Sequence, residues 1–298
     1  MTLETFRREA LQAAASTEPT YDRIEVLPLT GAIGAEIRGV DLTRPLDDET
    51  RGEVMAAFHR HLVVWFKGQT GLTPEQHIAF AKLFGPLQLI PHIKSIEGYP
   101  DVQIVRRMPE EKTLYIGEGF HADSTFLPTP PTTVTMRAVE VPPYGGDTAF
   151  QNMYLAYESL SPGMQAMLSG LNGVHSAAKV FGSKADQSRF TMKTMDPEEG
   201  DREVIHPLVR THPGTGRKSL FINRTYLIRI DGLTEVESQP ILDYLRVHAA
   251  QPAFGCRVKW ENDMVLIWDN RCTHHSAIGD YNTYRYLERV TTGGEVPV

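Results

Sequence analysis

Arg257–Ala277 reads RVKWENDMVLIWDNRCTHHSA. Within it, Arg257–Trp260 and Met264–Trp268 are short runs rich in apolar, β-branched and aromatic residues, separated by the turn formers Glu261, Asn262 and Asp263. Met264–Trp268 is apolar without interruption and only five residues long, which reads as a buried strand rather than a helix. Asp269 and Asn270 end it and deliver His274 and His275 just beyond the strand end.

The same pattern extends in both directions. Val102–Arg106, Thr133–Val139, His206–Val209 and Leu220–Ile222 precede the quoted stretch as short strands, and Tyr286–Thr291 follows it. Helical pieces at Ser161–Ser169 and Thr234–Ala249 interrupt the series without regular alternation. That irregularity argues against a doubly wound parallel sheet. It predicts a mainly β fold with flanking helices, two packed sheets in a double-stranded β-helix or jelly roll. Nearer the N-terminus, Ile24–Leu27 and the glycine-punctuated Gly31–Gly39 read as short strands. Asp47–His61 reads as a helix, Leu62–Phe66 as a buried strand, and Glu75–Phe84 as a helix with Thr73 as N-cap and Pro74 in its first turn. Residues 1–20 look like a frayed helix and a linker ending at Pro19, and no later linker is visible. The expected organisation is an N-terminal arm, 1–22, and a single domain, 23–298.

Composition narrows the function classes. The 298 residues are 41% hydrophobic and 22% charged with a net charge of −7, ordinary for a globular enzyme and unfavourable for phosphate-backbone binding, so no nucleic-acid partner is expected. Two cysteines, Cys256 and Cys272, are too few for a secreted disulfide scaffold. Met1–Ser16 lacks a signal peptide's apolar run, and no apolar stretch is long enough to span a bilayer. A cytoplasmic protein with no membrane partner is expected.

Three constellations carry chemistry. His121-Ala122-Asp123 lies in GEGFHADSTF, Gly117–Phe126, and on extended backbone side chains two apart point to one side, so an imidazole and a carboxylate can meet one ion. The tripeptide alone is weak, because a lone histidine more often makes a structural hydrogen bond. His274 or His275, arriving from a strand end, would complete two imidazoles and one carboxylate on one face of a metal, with other positions open. Such a site suits Fe(II) oxygen chemistry, whereas structural zinc prefers four closed, cysteine-rich ligands. Arg285 and Arg289, four apart in YRYLERVTT (Tyr284–Thr292), share one face of a strand and would point two carboxylate-binding forks inward. A zinc hydrolase or a metal-binding jelly roll without oxygenase activity remains a rival on the metal motif, but neither needs a co-substrate anchor. His175, His206 and His212 sit in strand or turn contexts and read as structural, Trp65, Trp260 and Trp268 as core, and HPGTGRK (His212–Lys218) as a hairpin loop without phosphate-cradle spacing.

Together these pieces resemble the Fe(II)- and 2-oxoglutarate-dependent oxygenases of the taurine dioxygenase type. The resemblance spans nearly the whole chain and includes LTGAIGAEIRGVDL (Leu29–Leu42), FAKLFG (Phe80–Gly85), GGDT (Gly145–Thr148) and WDNRCTHHSA (Trp268–Ala277). Within the family the chain is similar to the (R)-aryloxyalkanoate dioxygenases through KSIEGYPDVQ (Lys94–Gln103), HSAAKVFGS (His175–Ser183) and THPGTGRK (Thr211–Lys218). The resemblance implies a jelly-roll dioxygenase using Fe(II), 2-oxoglutarate and O2, with His121, Asp123 and His275 as iron ligands. Thr148 and Arg285 would hold the distal carboxylate of 2-oxoglutarate. Arg289 would lie at the iron-proximal end of the bound acids and contact the substrate carboxylate. His92, Lys94, Val180 and Phe181 would line the substrate pocket, although each could equally be structural or surface. Where taurine-type enzymes place a sulfonate-gripping histidine, this chain has Ile90, which favours a small carboxylic acid with a bulky apolar tail. The implied reaction hydroxylates the carbon beside the ether oxygen of an aryloxyalkanoic acid, releasing a phenol and a keto acid; an alkyl sulfonate, sulfate ester or other small acid is the alternative. A homo-oligomer is expected on the same ground.

Overall fold

The computed structural model describes residues 2–15, 19–90, 93–111, 117–187 and 195–298. Among these the chain begins α1 (Leu3–Ala15), β1 (Glu25–Pro28), β2 (Ala35–Arg38), α2 (Asp48–His61), β3 (Val63–Phe66), α3 (Pro74–Ala81), β4 (Ser95–Ile96) and β5 (Tyr99–Arg107). The middle carries β6 (Thr133–Glu140), β7 (Thr148–Asn152), α4 (Met153–Glu158), α5 (Pro162–Leu168), β8 (Asn172–Ser176), α6 (Ala178–Phe181), α7 (Pro197–Asp201), β9 (Glu203–Pro207), β10 (Val209–Thr211) and β11 (Lys218–Leu220). Then follow β12 (Leu227–Ile230), α8 (Glu235–Ala249), β13 (Gly255–Val258), β14 (Val265–Asp269), β15 (Thr273–Ala277) and β16 (Arg285–Thr292).

Strand β14 explains the architecture. It lies inside an eight-stranded sheet of order β1-β2-β3-β14-β6-β16-β5-β4, pairing antiparallel with β3 on one side and β6 on the other. Its alternate residues serve two cores. Val265 and Ile267 join Val64 and Phe66 of β3 beneath Val54, Ala57 and Phe58 of α2. Leu266 and Trp268 face inward with Met136 and Ala138 of β6 and Leu287 of β16. Both faces are covered, so the run is apolar at every position instead of alternating. Against the inner face packs a three-stranded sheet, β13-β7-β15, through Phe150 and Val258, with the Phe150 and Trp268 rings 5.8 Å apart. Burying rings such as these stabilises the sandwich by roughly 1.5–3 kcal/mol apiece. The result is the expected mainly β jelly-roll core with helices outside.

Local signals placed the helices well. Asp47 caps α2, its carboxylate accepting from Thr50 N at 2.7 Å, and Leu62 at φ 64° stops the helix and turns the chain into β3. Thr73 and Thr234 each form a capping box, with Gln76 and Glu237. Helix α1 is regular, and Ala10, Leu11 and Ala14 lay its apolar side on the inner core. Among the described residues, no helix is long and apolar enough to cross a membrane.

Strand boundaries differ more. The expected strand His206–Val209 is two strands broken at buried Leu208, because β9 pairs with β8 while β10 pairs with β11. The expected Leu220–Ile222 ends at Leu220, and Arg257–Trp260 is shifted to Gly255–Val258 by its register on β7. His212–Lys218 does lie in the connection between β10 and β11, where Thr211 pairs with Lys218. The two histidines do follow the end of β14, and they lie on a strand of their own, β15, in the opposite sheet.

Candidate active site

On β15 neighbouring side chains point to opposite faces, and this separates His274 from His275. His275 pairs with Phe150 of β7 and turns toward the space between the sheets, its ring 4.7 Å from that of Trp268. His274 faces the other way, toward the backbone of Ile222. An isolated bridge extends the small sheet by one residue: His121 N donates to His275 O at 3.0 Å and His275 N to His121 O at 2.8 Å. The two rings therefore stand side by side, 4.3 Å apart.

Two buried carboxamides set the rest of the loop. Asn270 Oδ1 accepts from Asp123 N at 2.8 Å, and its Nδ2 donates to Asp123 O at 3.2 Å and Pro131 O at 2.9 Å. Asn223 Nδ2 donates to Ala122 O at 2.7 Å. Every member of His121–Asp123 is thereby held through its backbone, and the chain leaves the loop through Ser124 at φ 48°. A left-handed serine costs free energy that the surrounding bonds offset.

The three side chains converge. His121 Nε2 lies 3.7 Å from Asp123 Oδ1 and His275 Nε2 lies 3.7 Å from Asp123 Oδ2. His121 Nδ1 donates to Gly119 O at 2.8 Å, which leaves the Nε2 lone pair facing the carboxylate. Arg289 Nη2 approaches Asp123 Oδ2 at 3.2 Å, an ion pair by distance, yet neither atom is aligned for a hydrogen bond. Burial raises the Asp123 carboxyl, but Arg289 and the two imidazoles outweigh it and hold it well below the usual carboxylate range. Burial pushes the His275 imidazole down to about 3 despite Asp123, so it is a neutral base at working pH.

A cavity of about 810 Å³ opens from these residues. Arg285 and Arg289 both line it, as two residues of β16 on one face should. Arg285 is desolvated, which lowers its pKa; its Nε has no hydrogen-bond partner, and no carboxylate lies within ion-pair distance of it among the described residues. Its guanidinium stands 5.8 Å from the ring of Trp260, whose Nε1 donates to Thr148 Oγ1 at 2.9 Å. Thr148 accepts that bond and so keeps its own hydroxyl hydrogen for an anion in the cavity. Lys94, Val180 and Phe181 line the cavity as well, while His92 lies outside the described residues.

Residues 25–291 match the family described as taurine catabolism dioxygenase TauD, TfdA. The chain belongs to that family. It is 34% identical to an alpha-ketoglutarate-dependent sulfate ester dioxygenase of Pseudomonas putida, over 96% of this chain and 95% of the relative. It is 33% identical to an (S)-phenoxypropionate/alpha-ketoglutarate-dioxygenase of Sphingobium herbicidovorans, over 87% and 90%. The crystal structure of a taurine dioxygenase from Burkholderia xenovorans superposes with a TM-score of 0.79 at 39% identity, covering 93% of this chain and 91% of that one. As a member of the TauD, TfdA family the chain is a 2-oxoglutarate-dependent dioxygenase that works with Fe(II), 2-oxoglutarate and O2.

The triad fits such an ion. Donor atoms about 2.1 Å from one metal stand roughly 3 to 3.5 Å apart, and the 3.7 Å separations are within a few tenths of an ångström of that spacing. Asp123 Oδ2 is buried without a hydrogen bond, as a metal-facing oxygen should be. One other group among the described residues has comparable spacing: His212, Asp269 and Cys272. It does not fit. His212 Nδ1 accepts from Gly214 N and Thr215 N at 3.1 and 3.2 Å while Nε2 bonds Asp269 at 2.9 Å, so no lone pair is left on the ring. Asp269 is also gripped through two oxygens by Arg271, at 2.8 and 2.7 Å. His212 is structural, as its turn context suggests.

Several participants escaped the sequence reading. Asn270 looked like a turn former, and Asn223 and Tyr226 carried no motif; only their long-range partners reveal them. Trp260 and Trp268, expected as plain core, also serve the cavity.

Proposed function

We propose that the chain hydroxylates the carbon next to the ether oxygen of an aryloxyalkanoic acid such as (R)-2-phenoxypropanoate. His121, Asp123 and His275 hold Fe(II), and Thr148 and Arg285 take the distal carboxylate of 2-oxoglutarate. When bound, Fe(II) supplies the O2 activation that couples oxidative decarboxylation of 2-oxoglutarate to hydroxylation of the substrate. One oxygen atom of O2 ends in succinate and the other in the new hydroxyl group. The resulting hemiketal collapses to a phenol and pyruvate, with succinate and CO2 as the other products.

The cavity's combination of charge and apolar wall carries this reading. Five basic side chains, Lys94, Arg106, Arg224, Arg285 and Arg289, line it against the acidic Glu111, Glu118 and Asp123, in a chain whose net charge is −7. Val180, Phe181, Ile104 and Met136 supply apolar lining among them. An anionic head with an apolar aromatic body satisfies both. The protein's own residues position the two acids, and the sandwich keeps water from the reacting carbon.

A second reading, an alkyl sulfate ester oxidised at its oxygen-bearing carbon, is supported by the Pseudomonas putida relative. Turnover of (R)- and (S)-2-phenoxypropanoate, an alkyl sulfate and taurine, measured side by side as succinate and organic product, decides between them. Phenol release from the (R) acid is the expected result. Turnover of the sulfate alone would transfer the assignment to the second reading.

A further inference from the structure

Gly145-Gly146-Asp147-Thr148 carries more than the Thr148 hydroxyl. Each of the three residues before Thr148 is occupied by the connection between β15 and β16, residues 278–284. Ile278 N donates to Asp147 O at 2.9 Å, which carries the β7–β15 ladder one step past Ala277. Arg257 bridges the two segments, its Nε donating to Asp147 Oδ2 at 2.5 Å and its Nη2 to Asp280 Oδ2 at 2.9 Å. Both ion pairs reach solvent through Arg257 and hold little by themselves. Asp280 Oδ1 also accepts from Gly146 N at 2.8 Å.

The two glycines let these turns close on each other. Both are left-handed, at φ 73° and 68°. A Cβ on Gly145 would lie 2.7 Å from Asp280 O and 2.8 Å from Asp280 Oδ1. On Gly146 it would press on the Tyr281 ring at 3.2 and 3.3 Å and on Arg285 Nε at 3.4 Å. Tyr281, half-buried, is thereby brought against Arg285. The guanidinium donates to its hydroxyl oxygen and stands between two rings, Tyr281 at 6.0 Å and Trp260 at 5.8 Å. A carboxylate in place of Tyr281 would hold Arg285 more strongly, but it would neutralise the charge that an incoming carboxylate needs. A phenol oxygen accepts a guanidinium N–H and leaves the charge intact.

We infer that Tyr281 is a positioning residue for the co-substrate: it orients the Arg285 guanidinium toward the distal carboxylate of 2-oxoglutarate, and the interlocked turns Gly145–Gly146 and Asp280–Tyr281 keep it there. The inference rests on the reading that Arg285 takes that carboxylate. It gives Tyr281 a share in discriminating 2-oxo acids that carry a distal carboxylate from those that lack one.

The test compares wild type, Tyr281→Phe, Arg285→Met and the double variant, each loaded with Fe(II) in the absence of O2. Quenching of tryptophan fluorescence (Trp268 lines the cavity) reads the affinity for 2-oxoglutarate and for 2-oxopentanoate, the same chain without the distal carboxylate. Tyr281→Phe keeps the ring against Gly146 and removes only the hydroxyl. It should weaken 2-oxoglutarate by about tenfold or more, the scale of a hydrogen bond to a charged group, and leave 2-oxopentanoate within about twofold of wild type. Because Tyr281 acts through Arg285, the double variant should bind 2-oxoglutarate no more weakly than Arg285→Met alone. Equal weakening of both acids by Tyr281→Phe, weakening of neither, or a further loss in the double variant overturns the positioning role. An Arg285→Met protein that prefers 2-oxoglutarate to 2-oxopentanoate as strongly as wild type does overturns the anchor itself, and the inference with it.

Discussion

His274 and His275 differ in one property, the face of β15 from which each projects, and that property separates a candidate ligand from a packed core residue. His275→Ala should lose iron on desalting, while His274→Ala retains most of it; metal content by mass spectrometry checks this, and the opposite ranking would move the ligand by one residue. Arg285 allows a second test at this scale. Arg285 is buried with Tyr281 as its neighbouring donor–acceptor and Asp147 too far for an ion pair, so its charge is incompletely compensated until an anion arrives. Arg285→Met should therefore leave the unliganded protein at least as stable, yet abolish the thermal shift produced by 2-oxoglutarate. Removing half of a buried ion pair costs about 3–5 kcal/mol, so the 2-oxoglutarate KM should rise by two orders of magnitude or more. An unaltered KM would assign the anchor elsewhere.

At the scale of elements, the site depends on how β14 hands the chain to β15. Asn270 ends the first strand, and both polar atoms of its carboxamide are spent on the backbone of Asp123 and Pro131, with no slack for another residue type. Asn270→Asp keeps the shape but replaces a donor with an anionic oxygen beside two carbonyl acceptors. Metal affinity should fall by about 10- to 100-fold, as for other groups that orient ligands, with secondary structure retained. Chelator competition measures the affinity and circular dichroism the fold; an unchanged dissociation constant would show that the clamp does not position the aspartate. The same logic explains Thr148 at the start of β7: Trp260, two residues past β13, fixes its hydroxyl by donating to it.

For the whole molecule, pH is the relevant variable. His77 is fully buried in α3, bonded to Thr135 Oγ1 at 3.1 Å, and remote from the metal triad in its contacts. Burial, reinforced by Arg137, pushes its pKa down to about 3. An unfolded histidine titrates near 6.5, so the folded state prefers the neutral ring. The stability this contributes is complete above about pH 6.5 and is lost as pH falls toward 3, at about 1.36 kcal/mol per unit. Urea denaturation of the metal-free protein between pH 6 and 4.5 should show steepening loss of stability, and His77→Gln should flatten that slope by about 1.4 kcal/mol per unit. Equal slopes in the two proteins would mean that His77 does not contribute.

Short-range chemistry was enough for much of this protein. The continuous apolar run of β14, the threonine cap of α3 and the hairpin loop at His212–Lys218 are local signals, and each stands where the residues alone place it. His121, Asp123, Arg285 and Arg289 were legible too, because spacings of two and four on extended chain state which side chains share a face. Tertiary structure decided what pairs with what. β7, β8, β12 and β15 have no strong period of their own and exist because a neighbouring strand satisfies their backbone groups. The resemblance already pointed to His275 over His274, but the roles of Asn223 and Asn270 and the bond from Trp260 to Thr148 depend on partners roughly 100 or more residues away. A sequence lists donors and acceptors in chain order; only the packed sheets bring them within 3 Å of each other, where a hydrogen bond has its strength.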